Sequence, residues 1–458
     1  MAEILNEGFQ FIIGLGGAAI SSIFIILISL VLGVKLSKAL ESGFKMGIAL
    51  TGMGAIIGLL TEEFGPALQS FVESTGASLE IVDLGWAQMA LVTWGSIYTM
   101  IFAIFSLVLN FVLYGFKKTN TLNVDIFNIW HLSIIGMLVL YYTDSLIIAL
   151  IFVAIIYIFM LINADLMKPR LNTLLDYEST DVTATAHPAF LMNPIVMLLD
   201  NIITKLLPSI DKYDFNAETI NKKIGFWGSN FAVGIYLGIF IGILGQQSLA
   251  EIISMSFIAA VSLELFGVIG GWFGPAMEPL SERMVERMQE GNQDRKLNVG
   301  VDWAIVGKRP EIWAVANILA PILMIIAIFL PGNSTLPLGG IIMTALVPSL
   351  LFVTGGKVLR MSIIGTILIP LYLWASTTIA DFMTNTSIQM GVFPEGLSEG
   401  SLFTSIEAIP MEKIIAVLFG EVYLNPTAMG IVIVALLIVV YIGLFIWYAK
   451  SMNKKNNV

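Results

Sequence analysis

Long apolar stretches recur along almost the whole chain, and they restrict the possible fold more than any other feature of the sequence. A helix needs about 20 predominantly apolar residues to cross the hydrocarbon core of a bilayer. Stretches of roughly that length lie at 10–34, 44–61, 93–115, 128–143, 144–163, 229–245, 250–271, 312–330, 336–354, 359–380 and 428–448. No large polar domain separates them. The sequence therefore predicts an all-α polytopic membrane protein with about eleven transmembrane helices.

The composition agrees with this class. Of the 458 residues, 57% are hydrophobic and 12% are charged, whereas soluble domains average about 25% charged residues. Ten-residue segments of alternating polarity, which mark an outer-membrane barrel, are absent. The first stretch follows two glutamates and no lysine or arginine, so we expect it to remain as a membrane helix and not to be cleaved as a signal peptide.

The chain contains no cysteine. This excludes disulfides, thiolate metal sites and a cysteine nucleophile on this polypeptide.

Lysine and arginine predict the orientation in the membrane. Basic residues accumulate on the cytoplasmic side, and an external N-terminus places all of the 23 basic residues except Lys413 inside. The predicted topology is multi-pass, with the N-terminus outside and the C-terminus in the cytoplasm.

Similar short sequences occur in the same order in the two parts of the chain. Phe-Gly-Pro-Ala appears at 64–67 and at 273–276, Trp-Ala at 86–87 and 303–304, and TNTLNVD at 119–125 parallels GNSTLPL at 332–338. In the predicted topology the two Phe-Gly-Pro-Ala copies face opposite sides, so we expect two inverted five-helix repeats followed by a C-terminal helix. The alternative is that Gly, Pro and Trp gather at membrane interfaces without any duplication.

The segments 62–92 and 272–311 are too polar to span and too apolar for free loops, and we expect each to form a re-entrant hairpin. The predicted division of the chain has five parts. These are a first repeat at 1–164, a central cytoplasmic segment with amphipathic helices at 165–228, a second repeat at 229–380, an extracellular loop at 381–427, and a C-terminal transmembrane helix with a basic tail at 428–458.

A few polar residues within or beside the apolar stretches are candidates for function, because buried charge is costly in a membrane. His131 begins one predicted span and His187 lies in the central segment; each is either a ligand-contacting residue or a structural one. Asp125 and Asp302 either cap helices or bind ligand. Glu264 is either a proton site or a buried helix contact. Two separate histidines without clustered carboxylates predict no metal site.

Four tryptophans lie close to these polar residues, at positions 86, 94, 303 and 313. They are either interface anchors or platforms on which the C–H faces of a neutral sugar pack. We find no phosphate loop, nucleophile elbow or basic aromatic patch, so the sequence predicts neither a catalytic residue set nor nucleic-acid binding.

Five stretches carry a family resemblance through their order and spacing as well as their letters. They are VDLGWAQMALVTWGS at 82–96, LNVDIFNIWHL at 122–132, AHPAFLMNPIVMLLDNII at 186–203, GVDWAIVG at 300–307 and PGNSTLPLGG at 331–340. The chain resembles the galactitol-type enzyme IIC permeases of the bacterial phosphoenolpyruvate-dependent sugar phosphotransferase system, in the ascorbate-galactitol superfamily.

This resemblance implies a homodimer in the bacterial cell membrane that binds a sugar alcohol outside and carries it inward by an elevator mechanism. A phosphocysteine on a separate IIB protein, charged by IIA, would then phosphorylate the sugar, with no covalent catalysis and no cofactor on this chain. The motifs imply sugar contacts from His131, His187 and Asp302, with Gln88, Thr93 and Asn193 as weaker companions.

Two departures from the family pattern leave the identity of the sugar open. Pro-His-Gly around the central histidine is replaced by Ala186-His187-Pro188, and an expected acidic residue is replaced by Gly339-Gly340. Galactitol is the first candidate, and a related hexitol or pentitol is the alternative.

The basic cytoplasmic segments 165–228 and 277–298 are a candidate docking surface for IIB, with Arg283, Arg287, Arg295 and Lys296 as possible contacts. The simpler explanation of these charges is the positive-inside rule.

The alternative function is a proton- or sodium-coupled sugar symporter built on the same inverted plan, with Glu264 or Asp302 as its coupling site. A membrane receptor without transport has no positive sign in the sequence.

Overall fold

A computed structural model describes residues 16–75, 79–123, 125–175, 182–183, 186–291, 297–300, 306, 309–397 and 400–456. The α-helices are α1 Gly16–Val31, α2 Leu36–Thr75, α3 Gly85–Trp94, α4 Ile97–Gly115, α5 Ile126–Thr143, α6 Leu146–Leu175, α7 Asn193–Leu206, α8 Ala217–Ile224, α9 Asn230–Leu244, α10 Leu249–Gly270, α11 Phe273–Gly291, α12 Pro310–Phe329, α13 Val347–Thr354, α14 Val358–Thr378, α15 Ala380–Gln389, α16 Pro410–Leu424 and α17 Ala428–Asn456. The strands are β1 Ile81–Asp83, β2 Thr121–Asn123, β3 Val182–Thr183, β4 Asn298–Gly300, β5 Thr335–Pro337 and β6 Leu402–Thr404.

Within these ranges, eight helical stretches are long and apolar enough to cross a membrane. A ninth arises if Ile210–Gly228 and Asn230–Leu244, which meet at an angle of 55°, count as one span. Two shorter apolar helices cover Gly17–Val31 and Trp130–Thr143. The prediction of an all-α polytopic membrane protein is confirmed.

Two stretches differ from the predicted list of spans. The stretch 336–354 is helical only over Val347–Thr354, because the part before it forms β5 and a glycine-containing turn. Conversely, Pro188–Leu206 is apolar enough to span a membrane, although the sequence placed it in a cytoplasmic segment. The stretch 381–427, expected as an extracellular loop, holds β6 and α16, whose first residues are buried.

The short strands form two parallel sheets of three strands each. Strand β1 lies between β5 and β6, and strand β4 lies between β2 and β3. The starts of β1 and β4 are 217 residues apart, those of β2 and β5 are 214 apart, and those of β3 and β6 are 220 apart. The central strand of each sheet therefore comes from one part of the chain and both of its neighbours come from the other. Two duplicated halves related by a pseudo-two-fold axis produce such a crossed arrangement.

The predicted hairpins correspond to a mixture of helix and buried non-helical backbone. Helix α2 continues through the first Phe-Gly-Pro-Ala and ends at Thr75, and the buried strand β1 and short helix α3 follow. In the second half, α11 begins at the second Phe-Gly-Pro-Ala. The expected tip at 301–305 lies outside the described residues.

Apolar side chains form two hydrophobic cores. The first includes Phe102 and Trp130, and the second includes Phe352 and Tyr372. Ile342 packs against both cores, in the turn between β5 and α13. The cavity described next lies where the two cores meet.

Candidate functional site

A cavity of about 730 Å³ opens at the junction of the two cores. Segments from both parts of the chain form its wall, and its lining combines aromatic rings, glycine backbone and a few ionisable groups. The ionisable and aromatic lining residues are Trp86, Asp125, Trp130, His131, His187, Phe266, Phe273, Trp313 and Glu407. A volume of this size suits a small solute with an apolar and a polar side.

The polar centre of the cavity wall consists of two histidines and a glutamate. Nε2 of His131 lies 3.2 Å from Oε2 of Glu407, and the rings of His131 and His187 meet edge to face with centroids 4.7 Å apart. All three side chains are buried. When Glu407 is ionised, its oxygen accepts a hydrogen bond, so neutral His131 carries its proton on Nε2.

Local backbone geometry holds His187 and Glu407 at the starts of two helical segments. Nδ1 of His187 accepts the amide hydrogen of Ala189 at 3.1 Å, which leaves the proton of the neutral ring on Nε2. Oε2 of Glu407 accepts the amide hydrogen of Ala408 at 3.1 Å, just before α16. The first turns of helices leave amide groups without partners inside the helix, and these two side chains each accept a hydrogen bond from one such amide.

The surroundings shift the pKa values of these groups in known directions. Burial, and after it the charge of His131, lowers the pKa of His187 well below its ordinary value. Burial alone raises the pKa of Glu407, but the hydrogen bond and charge of His131, the charge of Lys413 and the amide of Ala408 outweigh it and hold that pKa below the usual range. At neutral pH the cavity therefore presents an uncharged His187 and a carboxylate at Glu407.

Asp83 does not line the cavity, but it connects segments that form the cavity wall. Its carboxylate accepts amide hydrogens from Gly85 at 3.0 Å, Gly340 at 2.6 Å and Ile406 at 2.9 Å. Gly340 and Ile406 line the cavity, so one buried carboxylate ties two wall segments of the second half to the first.

Gly339 and Gly340, which replace the acidic residue expected from the family pattern, lie in a part of this wall with little space for a side chain. A Cβ atom on Gly339 would lie 2.4 Å from the backbone nitrogen of Gly85, and one on Gly340 would lie 2.9 Å from Oδ2 of Asp83. In this packing there is no space for an acidic side chain at either position. Asp83 and Glu407 supply carboxylates nearby.

Three predicted companions of the site do not line the cavity. Gln88 is buried and donates to the carbonyl of Val392 at 3.0 Å. Thr93 accepts a hydrogen bond from Nε1 of Trp130 and so supports a cavity residue from outside. Asn193 lies in a separate polar network.

That network is buried within the helices. The Asn193 amide donates to Oδ1 of Asn163 and to the hydroxyl of Tyr448, both at 3.2 Å, and its own oxygen accepts from Ser349 at 2.5 Å. Its partners show a role for Asn193 in joining helices.

The remaining candidates have mixed positions. Asp302 and Trp303 lie outside the described residues. Asp125, Trp86 and Trp313 line the cavity, whereas Trp94 is buried elsewhere. Glu264 lies at an exposed position, where Oε1 accepts the amide hydrogen of Phe231 at 3.2 Å at the start of α9. Glu264 thus contacts a helix end, but at an exposed position, whereas the helix contact expected from the sequence was a buried one.

The sequence did not single out Glu407, although a signal for it exists. Ala-Ile-Pro at 408–410 parallels Ala-His-Pro at 186–188, each following the third strand of its half. In that parallel Ile409 corresponds to His187, so it marks the segment around Glu407 as equivalent to the segment around His187 but does not place the two side chains together. Among the described residues, no group of three metal-ligating side chains is suitably placed for a metal ion.

Apolar spanning helices, two crossed halves and a polar cavity between them define a membrane-embedded permease for a small polar solute. The family described as PTS system sugar-specific permease component (EIIC-GAT) matches residues 11–396. This chain belongs to that family, and its resemblance to galactitol-type enzyme IIC permeases is confirmed.

Curated relatives support the same assignment. The chain is similar to the PTS system galactitol-specific EIIC component of Escherichia coli strain K12, at 26% identity over 394 residues, covering 86% of this chain and 87% of the relative. The protein of the same description from Escherichia coli O157:H7 matches with identical values.

Proposed function

We propose that the cavity binds galactitol or a closely related polyol and that this chain carries it inward for phosphorylation by a separate IIB subunit. The observation that carries the proposal is the His131–Glu407 pair beside His187 inside an aromatic-walled cavity. A polyol has several hydroxyl groups that both donate and accept hydrogen bonds. The carboxylate of Glu407 accepts, the imidazole nitrogens of the two histidines donate or accept, and ring faces cover the C–H surface.

An elevator movement is supported by the position of the cavity. It lies where two separately packed cores meet, so a displacement of one core relative to the other changes the side from which the cavity opens. Two duplicated halves can exchange their packings, so the inward-open and outward-open states have similar free energies. The movement between them is then reversible.

In this proposal the phosphoryl group comes from a phosphocysteine on IIB, and the absence of cysteine from this chain agrees with that division of roles. IIB, charged by IIA, would dock on the cytoplasmic face, and the protein would work as a homodimer. Of the proposed docking residues, Arg283 is partly engaged within the chain, with Nη1 2.7 Å from Oε2 of Glu286. Arg287 is exposed, while Arg295 and Lys296 lie outside the described residues.

Binding of galactitol to the purified full-length protein tests the cavity. We expect Glu407→Gln and His131→Ala each to weaken galactitol affinity about tenfold or more, because each removes a hydrogen bond that involves a charged or cavity-lining group. Glu264→Gln is the matched control and should bind as the wild type does, since Glu264 does not line the cavity. Wild-type affinity in both cavity variants would overturn the proposed site.

Transport in membrane vesicles separates the phosphotransferase function from a coupled symporter. Uptake should require phosphoenolpyruvate together with IIA and IIB, and should deliver sugar phosphate. Uptake of unmodified galactitol driven by a proton or sodium gradient would favour the symporter. Asp302→Asn should abolish uptake without preventing dimer assembly.

A further inference from the structure

The C-terminal helix α17 places a buried tyrosine between the two segments that carry candidate sugar-binding residues. The hydroxyl of Tyr441 lies 2.6 Å from Oε1 of Glu412 and 3.4 Å from the backbone oxygen of Leu191. A tyrosine hydroxyl has one hydrogen to donate, and the shorter distance identifies Glu412 as its main acceptor. The sequence predicted α17 only as a transmembrane helix with a basic tail.

The contact with Leu191 reaches the turn that holds His187. Leu191 belongs to the 3₁₀ turn Pro188–Met192, which His187 precedes directly. Nδ1 of His187 accepts the amide hydrogen of Ala189 in this turn. The turn is packed into both hydrophobic cores, with Leu191 in the first and Phe190 in the second. A displacement of the turn would therefore carry the His187 ring with it.

The contact with Glu412 reaches the helix that follows Glu407. Glu412 lies in the first turn of α16, and the carboxylate of Glu407 accepts the amide hydrogen of Ala408 just before that helix. Oε2 of Glu412 forms no hydrogen bond within the described part of the chain, so the bond from Tyr441 to Oε1 orients this buried carboxylate. The same hydroxyl thus contacts the segments of both His187 and Glu407.

A second tyrosine of α17 holds the far end of the turn. Tyr448 comes seven residues after Tyr441, about two helical turns along the same face. Its hydroxyl donates to Oδ1 of Asn163 at 2.7 Å and accepts from the side-chain amide of Asn193 at 3.2 Å. Asn193 follows the turn directly, as the first residue of α7. Helix α17 therefore contacts the turn near both ends, and of the two tyrosines it is Tyr441 that also contacts α16.

We propose that Tyr441 is a positioning residue that sets the distance between the His187 turn and the start of α16, and thereby places His187 and Glu407 for polyol binding. This inference rests on the proposed function. Tyr441 does not line the cavity, so its effect on the sugar passes through these two segments. Each segment follows the third strand of its half, and α17 lies after both predicted repeats. A residue outside the repeats thus joins equivalent parts of the two halves.

Tyr441→Phe removes the hydroxyl and keeps the ring. We expect the galactitol affinity of the full-length protein to fall about tenfold, because the His187 turn and α16 are no longer joined. Tyr157→Phe is the matched control. Tyr157 is fully buried, and its hydroxyl contacts Oδ1 of Asn110 at 3.2 Å, which belongs to neither segment. Wild-type affinity in Tyr441→Phe would overturn the inference, and so would an equal loss of affinity in Tyr157→Phe.

The ring signals of the histidines separate positioning from a general loss of stability. The chain contains two histidines, so protein labelled with ¹⁵N-histidine gives signals from His131 and His187, which the variants His131→Ala and His187→Ala assign. We expect Tyr441→Phe to shift the His187 ring signals and Tyr157→Phe to leave them at their wild-type positions. Unchanged His187 signals in folded Tyr441→Phe would exclude the positioning role.

This measurement needs no sugar, so it also separates the inference from the proposed function. If the wild-type protein binds no galactitol, the proposed function fails, while the His187 signals still decide whether Tyr441 positions the turn.

A double variant covers the case in which Tyr441→Phe does not fold. Tyr441→Phe/Glu412→Leu also removes the carboxylate that the lost hydroxyl leaves unpaired, and replacing both partners of a hydrogen bond by apolar groups can be nearly neutral for stability. The bond between α17 and α16 is still missing, so we expect the same loss of galactitol affinity and the same shift of the His187 signals. Wild-type affinity or wild-type signals in this variant would again overturn the inference.

Discussion

At the scale of single residues, Asp83 shows how one carboxylate organises the cavity wall. Its two oxygens accept three amide hydrogens from chain segments that are far apart in sequence. Backbone amides buried away from water need such partners. The carboxylate thus replaces secondary structure at the point where β1, the turn after β5 and the turn after β6 converge.

Asp83→Asn should destabilise the protein even though the side chain keeps its shape. The amide nitrogen of asparagine donates and does not accept, so at least one of the three backbone amides loses its acceptor. We expect a loss of about 1–3 kcal/mol for each amide left unpaired, measured as a lower unfolding temperature in detergent. Asp144→Asn, at an exposed turn position with φ 48°, is the control and should be neutral. Equal unfolding temperatures for Asp83→Asn and wild type would contradict the role of Asp83 in holding the cavity wall together.

The same scale shows what the sequence reveals about the site. His131 and His187 could be selected from their motifs, because histidines within or beside apolar stretches are costly and therefore informative. Glu407 could not be selected by that reasoning, since it lies 276 residues from His131 in a segment whose mixed composition is typical of a loop. Only the tertiary packing of α16 against α5 and α14 brings it to the cavity.

At the scale of helices, α9 and α10 pack with their backbones in close contact. Gly234, Gly238 and Gly242 repeat every four residues on α9, and they meet the α10 backbone so closely that a Cβ atom on Gly238 would lie 2.3 Å from Cα of Ser256. Small residues at this spacing let membrane helices approach to backbone contact.

Gly238→Leu should therefore separate the two helices. Overpacking of this kind costs about 1–3 kcal/mol or more, and we expect a lower yield of folded protein and a lower unfolding temperature. Gly443→Leu on α17 is the matched control, because a Cβ atom there meets nothing within 4 Å. If both variants behave alike, helix approach at Gly238 is not what stabilises this pair.

Hydropathy predicted the long helices but could not separate all of them from buried irregular chain. The stretch 336–354 is as apolar as a spanning helix, yet β5 ends at Pro337, and Gly339 and Gly340 after it form part of the cavity wall. Pro188–Leu206 was missed for the opposite reason, since Asn193 and Asp200 reduce its hydropathy. Both polar residues have partners in the fold: Asp200 pairs with Arg360 at 2.6 Å.

At the scale of the whole molecule, the crossed sheets favour a duplication whose units are longer than the predicted repeats. Strands β3 and β6 are equivalent in the sheet order, yet β3 lies in the predicted central segment and β6 in the predicted extracellular loop. We therefore expect each repeat to continue through its third strand and the helix after it, to the ends of α7 and α16. The repeat ends predicted at residues 164 and 380 stay a prediction. The longer unit would move these ends to the last residues of α7 and α16.

Inverted orientation of the two halves can be tested directly because the chain contains no cysteine. Single cysteines at Ser70, after the first Phe-Gly-Pro-Ala, and at Glu282, after the second, should react with a membrane-impermeant maleimide from opposite sides in intact cells and inverted vesicles. Ser70→Cys should label from outside and Glu282→Cys from the cytoplasm, as should the control Lys450→Cys near the C-terminus. A pseudo-two-fold axis in the membrane plane requires this opposition, since it exchanges the two faces together with the two halves. Labelling of both positions from one side would leave the crossed sheets intact but remove the alternating access that inverted halves provide.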